Sequence, residues 1–416
     1  MRIELGFGDG VQPVEIPEKN LMGVLMSNPV EHERHGSEAV EYAMDNPIGL
    51  PELGCCVKPG QKVAIIASDI SRPVPTWEIL PSVVGRLNRA GIPDEDICVV
   101  FGLGSHRHQT EEEKRKLAGD EIFNRIRCLD SDPEDCVHMG TTAAGTPVDI
   151  TRAVAEADFR IATGNIEFHY FAGYSGGAKA IMPGVSTPDA IQVNHRMMVS
   201  DAACAGKLDG NPIREDIEEA GRICGLDYIV NVVLDEHRHI VYAVAGDSVL
   251  AHRNGCRYLD TMYRKSIPQR ADIVLVSQGG APKDLNLYQT QKALDNAKHA
   301  VKDGGTVIVV GECREGMGSL KFEQWFREAP DSRALVQRIG KDFQLGGHKA
   351  AAIAMVMEHA DIELVSSMED SFVRSLFMTP RHSAQEALEL ALERYGENAS
   401  VLAMPFGGAT LPSAEK

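Results

Sequence analysis

Residues 63–73 read Val-Ala-Ile-Ile-Ala-Ser-Asp-Ile-Ser-Arg-Pro, and the reading of the fold turns on them. The apolar run Val63, Ala64, Ile65, Ile66 is a short buried strand, and it ends in the polar sequence Ser68-Asp69-Ile70-Ser71-Arg72-Pro73. Pro73 and Pro75 fix a rigid loop ahead of a helix expected over about 77–89. The succession then repeats. A second buried strand at 97–101 ends in Gly102-Leu103-Gly104-Ser105-His106-Arg107-His108, residues 111–126 read as a charged helix, and a third strand lies near 159–162. Strand, polar loop and helix in repetition predict a parallel, doubly wound α/β sheet. In such sheets ligands bind beyond the carboxyl ends of the strands. Asp69, Arg72, His106 and His169 stand at such ends, so one site can collect them.

Outward from this core, residues 2–16 alternate in polarity across Gly8-Asp9-Gly10 and read as a hairpin at the edge of the first domain. Two strands at 228–233 and 240–244 form a hairpin whose turn carries His237 and His239, read as solvated. A helical stretch to about residue 267, then Pro268, marks a linker. After it the α/β rhythm restarts: strands at 273–277, 306–310, 362–366 and 401–404, with helices beginning near Tyr288 and over about 384–394. The expectation is two α/β domains with mainly parallel sheets, 1–266 and 271–399, with 400–416 a candidate to return to the first.

Composition narrows the functional classes. A chain of 416 residues with 43% hydrophobic and 25% charged residues is ordinary for a globular protein. A formal charge of −18 argues against a nucleic-acid partner, and it requires any anionic substrate to be drawn in by a local basic site. Nine scattered cysteines without a C-x-x-C suit reduced thiols, mostly small buried residues, in a cytosol. No signal peptide and no apolar stretch long enough to span a bilayer are read, so a cytoplasmic location without a membrane partner is expected.

The third strand runs into the densest functional stretch. His169 is followed by Gly173, Gly176, Gly177, Lys179, Pro183-Gly184 and then Asn194-His195. A Gly-rich turn lets backbone N–H groups approach a phosphate, yet the spacing is neither G-x-G-x-x-G nor the P-loop pattern. Two imidazoles and an amine around such a loop suggest a reactive cofactor.

Four motifs in order carry a resemblance over nearly the whole chain. They are Asp69-x-x-Arg72-Pro73; Gly104-x-His106-Arg107; His169-x3-Gly173-x-Ser175-Gly176-Gly177-x-Lys179 with Asn194-His195; and Pro282-Lys283-Asp284-x3-Tyr288-Gln289-x2-Lys292. With them the sequence resembles the nickel-pincer-nucleotide-dependent lactate racemase family of 2-hydroxy-acid racemases and epimerases. The resemblance implies a nickel-pincer nucleotide, a pyridinium-3,5-bisthiocarboxylic acid mononucleotide that holds Ni(II) through sulfur, carbon and sulfur. Square-planar Ni(II) then needs one protein ligand, and His195 matches it. Lys179 matches the lysine joined to the cofactor, Asp69 a ribose contact, and Ser175, Gly176 and Gly177 the cofactor-binding loop. His106 and His169 match the catalytic pair, and Arg72, Tyr288, Gln289 and Lys292 the substrate contacts. The implied partners are a small 2-hydroxy acid and the enzymes that build the cofactor and insert nickel. The implied architecture is a first domain that binds cofactor and a second that closes over a site in the cleft between them.

The implied mechanism answers a chemical difficulty. The C2–H of an ionised 2-hydroxy acid is a very poor acid, whereas removing the hydroxyl proton while passing hydride to the cofactor avoids a carbanion. Two histidines, one for each enantiomer's hydroxyl, suit that task. His108, Lys283 and Asp284 flank the motifs without an assigned role. One departure bears on substrate: lactate-specific members carry a tryptophan near the site in the second domain, and Trp325, within the charged stretch 321–328, does not match it. Lactate and a larger or sugar-derived 2-hydroxy acid therefore both stand. Two other classes compete: a non-catalytic protein that binds nickel or cofactor, against which His106 and His169 argue, and a metal-dependent hydrolase, for which no H-E-x-x-H or comparable spacing exists.

Overall fold

The computed structural model describes residues 1–414. The opening run forms the strand Val63–Ser68, apolar and buried almost throughout, near the middle of a six-stranded sheet. The order across that sheet is Ile240–Gly246, Tyr228–Leu234, Phe159–Asn165, Val63–Ser68, Ile97–Gly102 and Arg127–Asp130. Every neighbouring pair is parallel except the outermost hairpin of Tyr228–Leu234 with Ile240–Gly246. The chain steps outward from Val63–Ser68 to Arg127–Asp130, then returns to the other side at Phe159–Asn165. The order thus reverses between Val63–Ser68 and Phe159–Asn165, and such a reversal opens a crevice beyond the strand ends. Asp69 follows one of these strands and His169 the other.

Most local elements match the expectation, among them the helices Thr76–Arg89 and Ala384–Tyr395 and the strand Val401–Met404. The charged helix expected over 111–126 is two, Glu111–Ala118 and Asp120–Arg125. Gly119 between them takes φ +77°, which ends the first helix with a conformation that side chains rarely adopt. Among the cysteines only Cys224, Cys256 and Cys313 are buried; five are partly exposed and Cys55 is exposed, so the expected burial of most thiols is corrected. No helix among the described residues is long and apolar enough to cross a membrane.

A second sheet is parallel throughout, in the order Thr379–Arg381, Ala360–Val365, Val301–Val310, Ala271–Ser277, Val401–Met404 and Leu21–Val24. Its order reverses beside Ala271–Ser277, whose exit leads through residues 278–286 to the helix Leu287–Ala297. Contacts divide the chain into two compact units, residues 30–261 and residues 1–29 with those from 262 onward. The expectation of 1–266 as one domain, with 400–416 a candidate to return to it, differs from this division at both ends. The physical cause is strand pairing at long range: Leu21–Val24 pairs with Val401–Met404, and Leu411–Ala414 pairs with Arg264–Ile267. The N-terminal hairpin, Arg2–Phe7 with Gly10–Glu15, is latched to the exit of Ala271–Ser277. The Ser277 hydroxyl donates to the Gly6 carbonyl (2.6 Å) and the Ala281 N–H to the Gly8 carbonyl (2.8 Å). Asp284 accepts from the N–H groups of Gly8 (2.8 Å) and Glu312 (3.0 Å), which gives this unassigned motif residue a structural task.

Three imidazoles have acid-base consequences for the whole fold. Burial pushes His252, His299 and His348 down to about 3, reinforced by Arg214, Lys298 and Lys349 respectively. The unfolded chain takes up these protons near ~6.5 while the folded one refuses them, at up to ~1.4 kcal/mol per proton and pH unit. Their contribution is complete above ~6.5 and is lost as pH falls toward ~3. The melting temperature is therefore expected to drop between pH 7 and pH 5, before ordinary carboxylates titrate. A flat profile across that window would show that these histidines are protonated in the fold.

Candidate active site

The loop after Val63–Ser68 holds a carboxylate against an imidazole. Asp69, 4% exposed, has Oδ2 at 2.7 Å from His106 Nδ1, and the Ser71 hydroxyl donates to its Oδ1 at 2.7 Å. Burial works to raise the Asp69 carboxyl, but the bonds from His106 and Ser71 and the nearby Arg72 charge outweigh it and hold the group below its ordinary value. An ionised carboxylate only accepts, so His106 carries a proton on Nδ1 and, when neutral, presents a bare Nε2. Gln109 locks the two loops together: its Oε1 accepts from the Ile70 N–H at 2.7 Å, while its own N–H and Nε2 donate to Asp130.

The stretch after Phe159–Asn165 folds back on itself, Phe168–His169 pairing antiparallel with Gly173–Tyr174. Gly173 sits at φ +76°, and a Cβ there would lie 2.0 Å from the Lys207 carbonyl oxygen, so glycine is obligatory. The Ser175 hydroxyl donates to the Asn165 carbonyl (2.7 Å) and accepts from the Glu167 N–H (2.8 Å); it closes the loop. The Gly177 N–H donates to Asn231 Oδ1 at 2.7 Å, and Gly176 packs so closely that a Cβ would meet the same oxygen at 2.8 Å. Lys179 follows within the short 3-10 turn Gly177–Ala180. Phe171, 3% exposed, is the apolar hub: its ring centroid lies 4.5 Å from that of His169, 4.9 Å from that of His195 and 5.9 Å from Lys179 Nζ.

His195 ends the helix Pro188–His195, and its tautomer is set by a buried relay. The Asp216 carboxylate accepts from Thr142, from Thr146 (2.7 Å) and from Asn194 Nδ2 (2.6 Å). That bond turns the Asn194 amide so that Oδ1 faces His195 Nδ1 at 2.8 Å. An amide oxygen only accepts, so His195 Nδ1 carries a proton, and in the neutral ring Nε2 is the unprotonated nitrogen, the tautomer in which an imidazole can bind a metal through Nε2. His169 is held the opposite way. The Ala172 N–H donates to its Nδ1 at 3.3 Å, which leaves the proton of the neutral ring on Nε2.

The charges around these groups are mostly positive. Burial pulls His169 well below its ordinary value, assisted by Lys179, Arg72, His195 and Arg214. Burial likewise pulls Lys179 well below the usual lysine range, assisted by Arg72 and Arg214 and opposed by Glu167. Arg72 is exposed and makes no ion pair among the described residues. The structural ion pair that such an arginine often serves is therefore not its task, and its fork is open to an anion.

Asp69, Arg72, His106, His169, Ser175, Gly176, Gly177, Lys179 and His195 all belong to the unit of residues 30–261. Tyr288, Gln289 and Lys292 belong to the other unit and share one side of the first turns of Leu287–Ala297, with Lys292 exposed. Behind them the buried Lys349 donates to the Tyr288 carbonyl (3.0 Å) and to Gln291 Oε1 (2.8 Å). Lys283 is exposed, and His108 is exposed with Nδ1 3.4 Å from Asp130. His237 and His239 are exposed in their hairpin turn. Sequence reasoning missed Ser71, Gln109, Phe171, Asn211, Arg214, Asp216, Asn231 and His252, all of which act by holding others. The one local signal was the run Asn211-Pro212-Ile213-Arg214-Glu215-Asp216, an N-cap and proline opening a helix that then buries two charged residues.

Comparison with known proteins covers nearly the whole chain. The family model described as lactate racemase N-terminal domain matches residues 7–206, and that described as lactate racemase C-terminal domain matches residues 267–411. The lactate racemase of Thermoanaerobacterium thermosaccharolyticum is 31% identical over 417 residues, covering 97% of both chains. That of Lactiplantibacillus plantarum is 32% identical over 418 residues, covering 97% of this chain and 98% of the relative. The solved lactate racemase apoprotein from the former organism superposes with a TM-score of 0.89 at 30% identity, over 99% of this chain and 100% of that one. A Thermotoga maritima protein at 18% identity shares the fold with a TM-score of 0.63, over 94% of this chain and 100% of that one. The chain belongs to the lactate racemase family.

Proposed function

We propose that the protein inverts C2 of a 2-hydroxy acid, lactate or a larger or sugar-derived analogue, with the help of a nickel-pincer nucleotide. The observation that carries the reading is the opposite preparation of the two histidines. His106 is turned by Asp69 to offer a bare Nε2, a base, while His169 keeps its proton on Nε2, an acid. Racemisation through the hydroxyl needs one group to take a proton and another to return it.

The residues present fit the cofactor. No group of three or more His, Cys, Asp or Glu among the described residues is placed to hold a metal ion. A lone imidazole such as His195 retains a metal only where another molecule supplies the remaining donors. Lys179 has a depressed amine beside the loop, and a neutral amine is the form that can be acylated. When bound, the nickel-pincer nucleotide would accept and return hydride at C2, chemistry that no side chain here supplies.

The remaining work falls to this chain. Arg72 would bind the substrate carboxylate through its fork, with Tyr288, Gln289 and Lys292 as further substrate contacts from the resemblance. His106 would accept the hydroxyl proton of one enantiomer at Nε2, and His169 would serve the hydroxyl of the other. Asp69 would keep the His106 ring in its tautomer and orientation, in addition to the ribose contact that the resemblance implies. Trp325 is buried on the helix Leu320–Glu328, packed against Gly347 and under the Arg338 guanidinium, and so serves the core. This supports keeping a larger substrate beside lactate.

Asp69→Asn replaces an acceptor by an amide that can donate to Nδ1 and strip the base of its bare Nε2. It is expected to lower kcat of the cofactor-loaded enzyme by ~10²–10⁴-fold with the fold intact by circular dichroism; wild-type turnover would remove Asp69 from the mechanism.

Racemisation in D₂O tests the route of the hydrogen. Hydride that leaves and returns never mixes with solvent, so the product is expected to keep protium at C2, and C2-deuterated substrate to turn over more slowly. Early, extensive solvent deuterium at C2 by NMR would instead mean proton abstraction.

A further inference from the structure

One helix start underlies both halves of the site. Asn211, 0% exposed, caps the helix Pro212–Cys224 with Oδ1 and donates from Nδ2 to the Phe171 carbonyl at 2.8 Å. Arg214, also 0% exposed, donates from Nε to the Ala172 carbonyl at 3.1 Å and from Nη2 to the Tyr174 carbonyl. The remaining carbonyls are held as well. Gly173 accepts from the Gly206 N–H at 2.9 Å, and Ser175 accepts from His252 Nε2 at 2.8 Å. The Arg214 guanidinium has no carboxylate in ion-pair range among the described residues, and its Nη1 is buried without a partner.

A buried cation is costly, and the Glu218 carboxylate that offsets the Arg214 charge lies beyond ion-pair range, with Arg253 opposing it. Burial alone therefore gives no reason for an arginine here, whereas the carbonyls that it holds give one. We propose that Arg214 is a positioning residue: from beneath the glycine-rich loop it grips the carbonyls on either side of Gly173 and thereby sets where His169 and Lys179 stand. Its fixed charge reinforces the effect, since it faces Lys179 together with Arg72 and His169, with Glu167 as the opposing carboxylate. The proposal rests on the functional reading above only in naming His169 and Lys179 as working groups.

The test uses the full-length protein without cofactor, so its outcome is separate from that of the racemase assignment. Amide exchange over residues 171–177 is followed by mass spectrometry in wild type, Arg214→Lys and Arg214→Met. Acetylation of Lys179 by an activated acetate ester is followed across pH in the same proteins. Arg214→Met is expected to speed exchange in the loop about ten-fold or more, as loss of a bond from a charged donor implies. It is also expected to move the Lys179 labelling midpoint to higher pH. Arg214→Lys keeps the charge but not the two-pronged grip, so exchange quickens while the labelling midpoint stays. Wild-type exchange and labelling in a folded Arg214→Met would overturn the proposal. Should that variant fail to fold, Arg214→Lys decides alone, and wild-type loop exchange there overturns it equally.

Discussion

The site depends on the hydrogen bond between the Asp216 carboxylate and the Asn194 amide. It is buried, 2.6 Å long, and it orients an amide that in turn orients an imidazole. A bond to a charged group of this kind contributes ~1.5–3 kcal/mol, and leaving either partner unpaired costs more. The same turn of helix carries Asn211 and Arg214, which hold the loop bearing His169 and Lys179. A loop with four glycines between His169 and His195 would otherwise sample many conformations. Anchoring its carbonyls from one rigid helix converts that freedom into a defined placement of reactive groups.

Electrostatics follows from the same construction. The chain carries a formal charge of −18, yet Arg72, Lys179 and Arg214 gather around His169, with Glu167 the opposing carboxylate at Lys179. Each positive charge makes the next harder to protonate, so the titratable members are pressed toward neutrality while the arginines stay charged. A local cation field with neutral bases inside it can bind a carboxylate and still accept a proton. Asp69 works in the opposite sense: against the cost of burial, the bonds from His106 and Ser71 and the nearby Arg72 charge keep its carboxyl ionised beside the imidazole.

Much of the fold was legible because strands buried on both faces are continuous apolar runs, as at Val63–Ser68 and Ile97–Gly102. The parallel order and the placing of Asp69, His106 and His169 at strand ends follow from that pattern alone. Long-range pairing is a different matter. Nothing local in Leu21–Val24 says that it pairs with Val401–Met404, and so the N-terminal hairpin was read correctly as a hairpin but placed with the other unit. The charged run 111–126 reads as one helix, whereas Gly119, at φ +77°, divides it in two. In the site, residues with reactive groups were visible in their motifs, while those that hold them were not. Gln109, Asn231 and Asp216 touch their clients across gaps of 39, 54 and 22 residues, separations with no signature in a single sequence.

The chain's own hydrogen bonds place a proton on His195 Nδ1, so that the neutral ring leaves Nε2 unprotonated. Long-range ¹H–¹⁵N correlation of the imidazole nitrogens in ¹⁵N-labelled protein without cofactor, assigned with His195→Gln, measures this directly. The expected result is a protonated, pyrrole-type shift at Nδ1 and, once the ring is neutral, an unprotonated, pyridine-type shift at Nε2. The pattern should be lost in Asn194→Ala. A neutral His195 ring with its proton on Nε2 in the wild-type protein would contradict this placement.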